Sequence, residues 1–263
     1  MTFAERLDGC VERADSLLCL GLDPHGAESA AAAERTCREL LDATLDMVCA
    51  VKPNLGFFEQ LGSAGYAVLE RLRAAVPADR ILILDGKRGD VGSSAEAYAR
   101  ALFDVLGADA VTVNPLQGAD AVAPFLARND RGAFLLTRTS NPGAADLLDA
   151  RLASGKTVYE RIVELGLSWD GGGAVGFVVG ATDPAAVRTV RGAAPDAPLL
   201  VPGVGAQGGS LEDAVHAGLD ARRRGMVVNV SRGIAGAPDG ARAAAQTWRD
   251  RINAVRAAAG AAA

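Results

Sequence analysis

A chain of 263 residues, 49% hydrophobic and 22% charged, has room for one large domain or two small ones and enough apolar side chains to bury a core. Its 27 basic residues are outnumbered by 32 acidic ones, a formal net charge of −5, which argues against the basic surface that non-specific nucleic-acid binding needs. No apolar run reaches the roughly 18–20 residues of a membrane span, and Glu5, Arg6 and Asp8 interrupt the stretch where a secretory signal would turn apolar.

The four cysteines, Cys10, Cys19, Cys37 and Cys49, form no CxxC pair, and the only histidines are His25 and His216. Neither a zinc site nor a disulfide framework is expected, and a reducing cytosol is. With so few histidines, catalysis falls to lysines and carboxylates.

Eight short runs rich in Val, Ile and Leu follow one another at 17–23, 47–54, 81–87, 110–115, 133–140, 174–181, 198–205 and 225–232. Nearly continuous apolar runs of this length suit strands covered on both faces, as in a parallel sheet. Their starts are spaced about 30 residues apart, the size of a βα unit. Between them, 31–46, 62–76, 93–106, 157–167 and 240–259 mix apolar and charged residues near the helical period. Ser94 before Glu96 and the pair Asp183-Pro184 read as helix starts. Eight alternations predict an α/β fold of the (β/α)8 TIM-barrel type, one domain over 1–263 with a short N-terminal helix and a frayed alanine-rich end at 257–263. A doubly wound open sheet is the runner-up, weakened by the absence of a glycine-rich dinucleotide fingerprint after the first strand.

A barrel of this kind carries its site at the C-terminal strand ends. Those ends hold Asp23, Lys52 with Asn54, Asp85 with Lys87, Asn114, Ser140 and Arg232. Charges beside a barrel core are costly unless paired or used. In the segment 84–90, LDGKRGD, strand alternation places Asp85 and Lys87 on one face, and Asp90 follows in a loop opened by Gly89. A plain reading is a solvated Asp-Gly turn; the functional one is a lysine bracketed by two carboxylates. Such a lysine stays an ammonium, a fixed cation and proton donor rather than a Schiff-base amine. Lys52 adds a second cation, giving an alternating Lys-Asp-Lys-Asp chain. The Arg88-Gly89-Asp90 match to a cell-adhesion tripeptide is read as accidental.

The glycine-rich segment 202–210, PGVGAQGGS, and 229–233, NVSRG, fall after strands seven and eight, the usual phosphate site of this barrel. Arg232 supplies a bidentate fork and Gln207 a cap for the same group, with Pro202 at the loop's start. Among lesser residues, His25 reads as a loop residue at the rim and Cys19 and Cys49 as core. Tyr98 and Phe103 read as a helix face on the barrel, and the arginines at 222–224 as a solvated N-terminal rim.

Taken together, Asp85-x-Lys87-x-x-Asp90, Lys52 in VKPN, Ser140 in RTSNPGA, PGVGAQGG and SRGI resemble the orotidine 5′-phosphate decarboxylase family, specifically its longer bacterial branch with KRGD and TSNPG at these places. The landmarks run in order from Asp23 to Arg232. The resemblance implies conversion of orotidine 5′-monophosphate to uridine 5′-monophosphate and CO2, the last step of de novo uridylate synthesis, with no metal and no cofactor. It further implies that Lys87 protonates the C6 carbanion, that Asp85 and Asp90 crowd the substrate carboxylate, and that Lys52 pairs with Asp85 and contacts the ribose. Asp23 would bind ribose hydroxyls, Ser140 the pyrimidine, and Gln207 with Arg232 the phosphate. Asp90 would reach into a neighbouring subunit, making a homodimer. Two other readings stay open: a magnesium-dependent phosphosugar decarboxylase or epimerase, which would carry a carboxylate where Lys52 stands, and a non-catalytic phospho-ligand sensor.

Overall fold

The computed structural model describes residues 1–205 and 208–261. Eight strands, β1 (Leu18–Leu22), β2 (Ala50–Pro53), β3 (Ile81–Arg88), β4 (Ala110–Val113), β5 (Gly132–Arg138), β6 (Val175–Val179), β7 (Leu199–Val201) and β8 (Met226–Val230), pair in parallel, each with the next. β8 pairs with β1, so the sheet closes into a barrel and the open-sheet alternative is excluded. Every apolar run expected to form a strand coincides with one, β3 and β5 each extending one residue beyond it. The strands are buried almost throughout because side chains on one face fill the barrel and those on the other meet the surrounding helices.

The helices are α1 (Phe3–Ala14), α2 (Ala30–Thr44), α3 (Gly56–Glu59), α4 (Ser63–Ala75), α5 (Gly92–Arg100), α6 (Ala119–Leu126), α7 (Ala144–Leu147), α8 (Val158–Trp169), α9 (Pro184–Ala193), α10 (Leu211–Gly218), α11 (Arg232–Ala235) and α12 (Ala241–Ala261). Thr2 with Glu5 and Thr157 with Glu160 form capping boxes. Asp183 caps α9 through the Ala186 N–H, with Pro184 following, as its sequence predicts. Ser94 does not cap α5, which begins two residues earlier at Gly92 without a side-chain cap. Gly92 has φ +54°, a left-handed turn through which the short 89–91 loop enters the helix. A π-helical turn, Ala101–Val105, continues α5. It buries Phe103 as expected, whereas Tyr98 is 40% exposed and carries the Arg88 guanidinium 5.4 Å above its ring.

The lower end of the barrel is closed by α1, whose buried Phe3, Leu7, Cys10, Val11 and Ala14 recur at helical spacing. Phe3 stands edge-on to Phe134 of β5 at 5.8 Å. Asp109, just before β4, accepts hydrogen bonds from Arg6 of α1 (2.7 Å), Arg73 of α4 (3.0 Å), Arg131 (3.1 Å) and the Leu82 N–H of β3 (2.9 Å). The arginine run is not simply solvated. Arg222 lies 2.7 Å from Asp8, and Arg224 pairs with Asp8 and Glu12, so both clasp α1.

Candidate active site

At the C-terminal strand ends lies a cavity of about 670 Å³. It brings together Asp23 after β1, Lys52 on β2, Asp85 and Lys87 on β3, Ser140 after β5, Pro202 after β7 and Arg232 at the start of α11, just after β8. Asn54 lines the same cavity. Asn114 does not: its Oδ1 accepts the Leu116 N–H in a tight turn, and it lines a neighbouring cavity of about 210 Å³.

Asp85 is the hub. Its Oδ2 accepts from Lys52 Nζ at 2.8 Å, and its Oδ1 accepts from Lys87 Nζ at 2.6 Å and from Thr112 Oγ1 at 2.9 Å. Burial alone would push the Asp85 carboxyl up, but the two ammonium groups outweigh it and hold it well below the usual carboxylate range. Burial alone would lower Lys52, yet Asp85 and Asp23 beside it raise it above the ordinary lysine value. Both groups are therefore charged near neutrality. Lys52 is the enclosed cation, with 5% of its side chain exposed, and Lys87 is the accessible one, at 47%.

Asp85 and Lys87 share the cavity face, as strand alternation predicts, but the backbone between them is irregular. Lys87 has φ +48°, and the pairing of β3 with β4 shifts register between Leu84 and Arg88. The following side chain, Arg88, points elsewhere, pairing with Glu59 and donating to the Gly86 carbonyl at 3.0 Å. The bracket of two acids is not completed within one chain. Among the described ion pairs Lys87 meets Asp85 and not Asp90, whose Oδ1 accepts the Val91 N–H at 2.8 Å outside the cavity.

Asp23 accepts a hydrogen bond from Ser231 Oγ on its Oδ2. Its Oδ1 is shielded from solvent and has no partner among the described residues. Gly21 makes this contact possible, since a Cβ there would lie 2.0 Å from Ser231 Oγ. Gly180 does the same for Ser140, whose Cα would lie 2.6 Å from a Cβ at 180. At the other end, Pro202, Gly203 and Val204 join Arg232 around the mouth. Gly203 and Gly205 take φ +94° and +67°, backbone conformations that favour glycine. Gln207 lies outside the described residues.

Several lining residues are not singled out by the sequence. His25, read as a loop residue at the rim, lies in such a loop and also lines the cavity, edge-on to Phe57 with ring centres 4.5 Å apart. Thr112, Asn229 and the apolar Leu136, Val178 and Leu200 are others. A polar Thr inside the apolar run AVTVNP is the one signal that pointed to Thr112.

The chain is similar to known proteins over nearly its whole length. A profile of the family described as "Orotidine 5'-phosphate decarboxylase / HUMPS family" matches residues 16–247. The orotidine 5′-phosphate decarboxylase of Roseiflexus castenholzii is 50% identical over 268 residues, covering 97% of this chain and 98% of that one. That of Thermomicrobium roseum is 44% identical, covering 97% and 96%. The solved structure of Leishmania donovani OMP decarboxylase superposes with a TM-score of 0.91 at 44% identity, covering 97% of this chain and 99% of that chain. By profile, sequence and barrel alike, this chain belongs to the orotidine 5′-phosphate decarboxylase family.

Proposed function

We propose that this enzyme decarboxylates orotidine 5′-monophosphate to uridine 5′-monophosphate and CO2, by direct stabilisation and protonation of a carbanion without a metal. The observation that carries this reading is one buried carboxylate, Asp85, gripped by two lysines under a cavity of nucleotide size. The substrate carboxylate sits against Asp85, with the Lys87 ammonium beside C6. The C6–carboxylate bond breaks, CO2 leaves, and the electron pair stays on C6. A proton moves from Lys87 Nζ to C6, and water returns one to the amine.

That electron pair lies in the ring plane and cannot spread into the π system. A fixed ammonium at ~4 Å with an effective dielectric of ~20 is worth about 4 kcal/mol, on the order of a thousandfold in rate. Repulsion between Asp85 and the substrate carboxylate is relieved as CO2 departs. Lys52 keeps Asp85 charged and, with Asp23 on the same side of the cavity, meets the ribose. Ser140 reads the pyrimidine. Arg232 holds the phosphate far from the reacting bond, with Pro202 in the adjoining loop, and Gln207 is assigned to the same group. Binding there drives loop closure and lowers the barrier from a distance.

The reading includes a homodimer in which Asp90 completes the partner's site. Asp90 stands outside its own cavity, beside exposed Val91, and Leu116 and Leu147 lie exposed along the adjoining small cavity. A second copy would cover this apolar rim. Residues 1–263 form one domain in this reading, and the cytoplasm is its compartment. Four free cysteines fit that compartment, and no helix among the described residues is long and apolar enough to cross a membrane.

Lysine at position 52 favours this reaction over that of a magnesium-dependent phosphosugar enzyme. The test is the loss of near-ultraviolet absorbance when purified protein meets orotidine 5′-monophosphate with a chelator present. Nucleotide binding without turnover would favour a sensor, and activity abolished by the chelator a metal enzyme.

A further inference from the structure

We propose that Thr112 is a positioning residue that sets, through one hydroxyl, both the Asp85 carboxylate and the backbone of Lys87. The inference rests on the decarboxylase reading above.

Thr112 sits in the middle of β4, 1% exposed, inside the barrel. Its Oγ1 is 2.9 Å from Asp85 Oδ1 and 2.9 Å from the Lys87 backbone nitrogen. An amide N–H can only donate, so the hydroxyl must accept from Lys87. Its single proton is then left for Asp85, which as a carboxylate can only accept. Both directions are therefore determined.

The second contact matters because of what the backbone does there. Lys87 is one of three non-glycine residues with positive φ among the described residues. That conformation is unfavourable for a residue with a Cβ unless its surroundings hold it. The β3–β4 ladder slips at the same place, and the Lys87 N–H finds the Thr112 side chain instead of a strand carbonyl. The slip turns the lysine back so that Nζ meets the carboxylate two residues earlier. Without the hydroxyl, the Lys87 amide loses its partner, Asp85 loses one of three donors, and the left-handed turn loses its clamp. The reacting ammonium then wanders while the distant phosphate contacts stay in place.

Removing the hydroxyl should lower kcat without weakening binding. Thr112→Val is expected to cut kcat by about 10- to 100-fold, as small misplacements of a reacting group do, with KM for orotidine 5′-monophosphate and Kd for uridine 5′-monophosphate within about threefold of wild type. Thr112→Ser, which restores the hydroxyl, is expected to recover kcat to within about threefold of wild type. If the valine variant does not fold, judged by thermal melting, the pair Thr112→Ala and Thr112→Ser decides in its place. Equal kcat in that pair, or a loss expressed in KM alone, overturns the proposal. Wild-type protein that fails to consume the substrate overturns the decarboxylase reading itself, a result distinguishable from an active wild type with an unimpaired Thr112→Val variant.

Discussion

Lys87 Nζ lies 2.6 Å from the Oδ1 of Asp85, two residues before it on the same strand, yet the acid is nearly enclosed and the lysine is half open to the cavity. The carboxylate fixes one end of the contact, and the ammonium is left reachable by a ligand. Lys87→Ala is therefore expected to reduce turnover by about a thousandfold or more, the scale of one fixed charge at a developing anion. Affinity for uridine 5′-monophosphate, measured by calorimetry, should remain within an order of magnitude. Turnover surviving this substitution would remove Lys87 from the chemistry.

The Lys52–Asp85 pair has a defined pH signature. Asp85 titrates below its unfolded value in the folded state, so its stabilisation is present above the ordinary carboxylate range and disappears as pH falls through the folded value. Lys52 is raised, so its stabilisation is present below the ordinary lysine value and disappears as pH rises through the folded one. Lys52→Met removes the enclosed partner of Asp85, leaving it Lys87 and Thr112, and should cost about 2 kcal/mol. In urea unfolding, that cost should be constant between about pH 5 and 9 and shrink on the acid side as Asp85 protonates. A cost that varies across the plateau would contradict the assignment.

If Asp90 serves the site of a second copy, two inactive proteins should repair one another. Lys87→Ala and Asp90→Ala, mixed under conditions that allow subunit exchange, should recover about one quarter of wild-type activity. Half the dimers are then mixed, and each of those carries one intact site. Mixing without recovery would place Asp90 elsewhere.

Gly21→Ala tests the ribose end. Its methyl would strike Ser231 Oγ and displace the group that holds Asp23. A rise in KM larger than the fall in kcat is expected. Unchanged kinetics would show that Asp23 does not need Ser231.

All four cysteines are buried. Burial pushes the Cys19 and Cys37 thiols up to about 12 and raises Cys10 and Cys49 as well. A thiol-specific disulfide reagent should leave the native protein untouched for hours and react with four thiols after denaturation.

The eight strands are legible because each is a short Val-, Ile- and Leu-rich run, and burial on both faces demands that pattern. α6 and α10 are not, for local reasons. α6 contains Pro124, which reads as a breaker, and α10 is eight residues long directly after a glycine-rich loop. At the site, Asp23, Lys52, Asp85, Lys87, Ser140, Pro202 and Arg232 converge as their strand-end positions predict. What stays hidden is backbone geometry and facing. No pattern announces the positive φ of Lys87, the turn that takes Asn114 out of the main cavity, or the side of the rim to which His25 points.

Asp109 and Asp85 occupy opposite ends of the same adjacent strands, β4 and β3. Asp109→Ala should lower stability by about 3 kcal/mol, because three arginines lose their shared acid, and should leave kcat at its wild-type value. Its base being built from separate residues, the molecule can adapt to heat or cold by exchanging side chains under α1 while the decarboxylating pole is inherited unaltered.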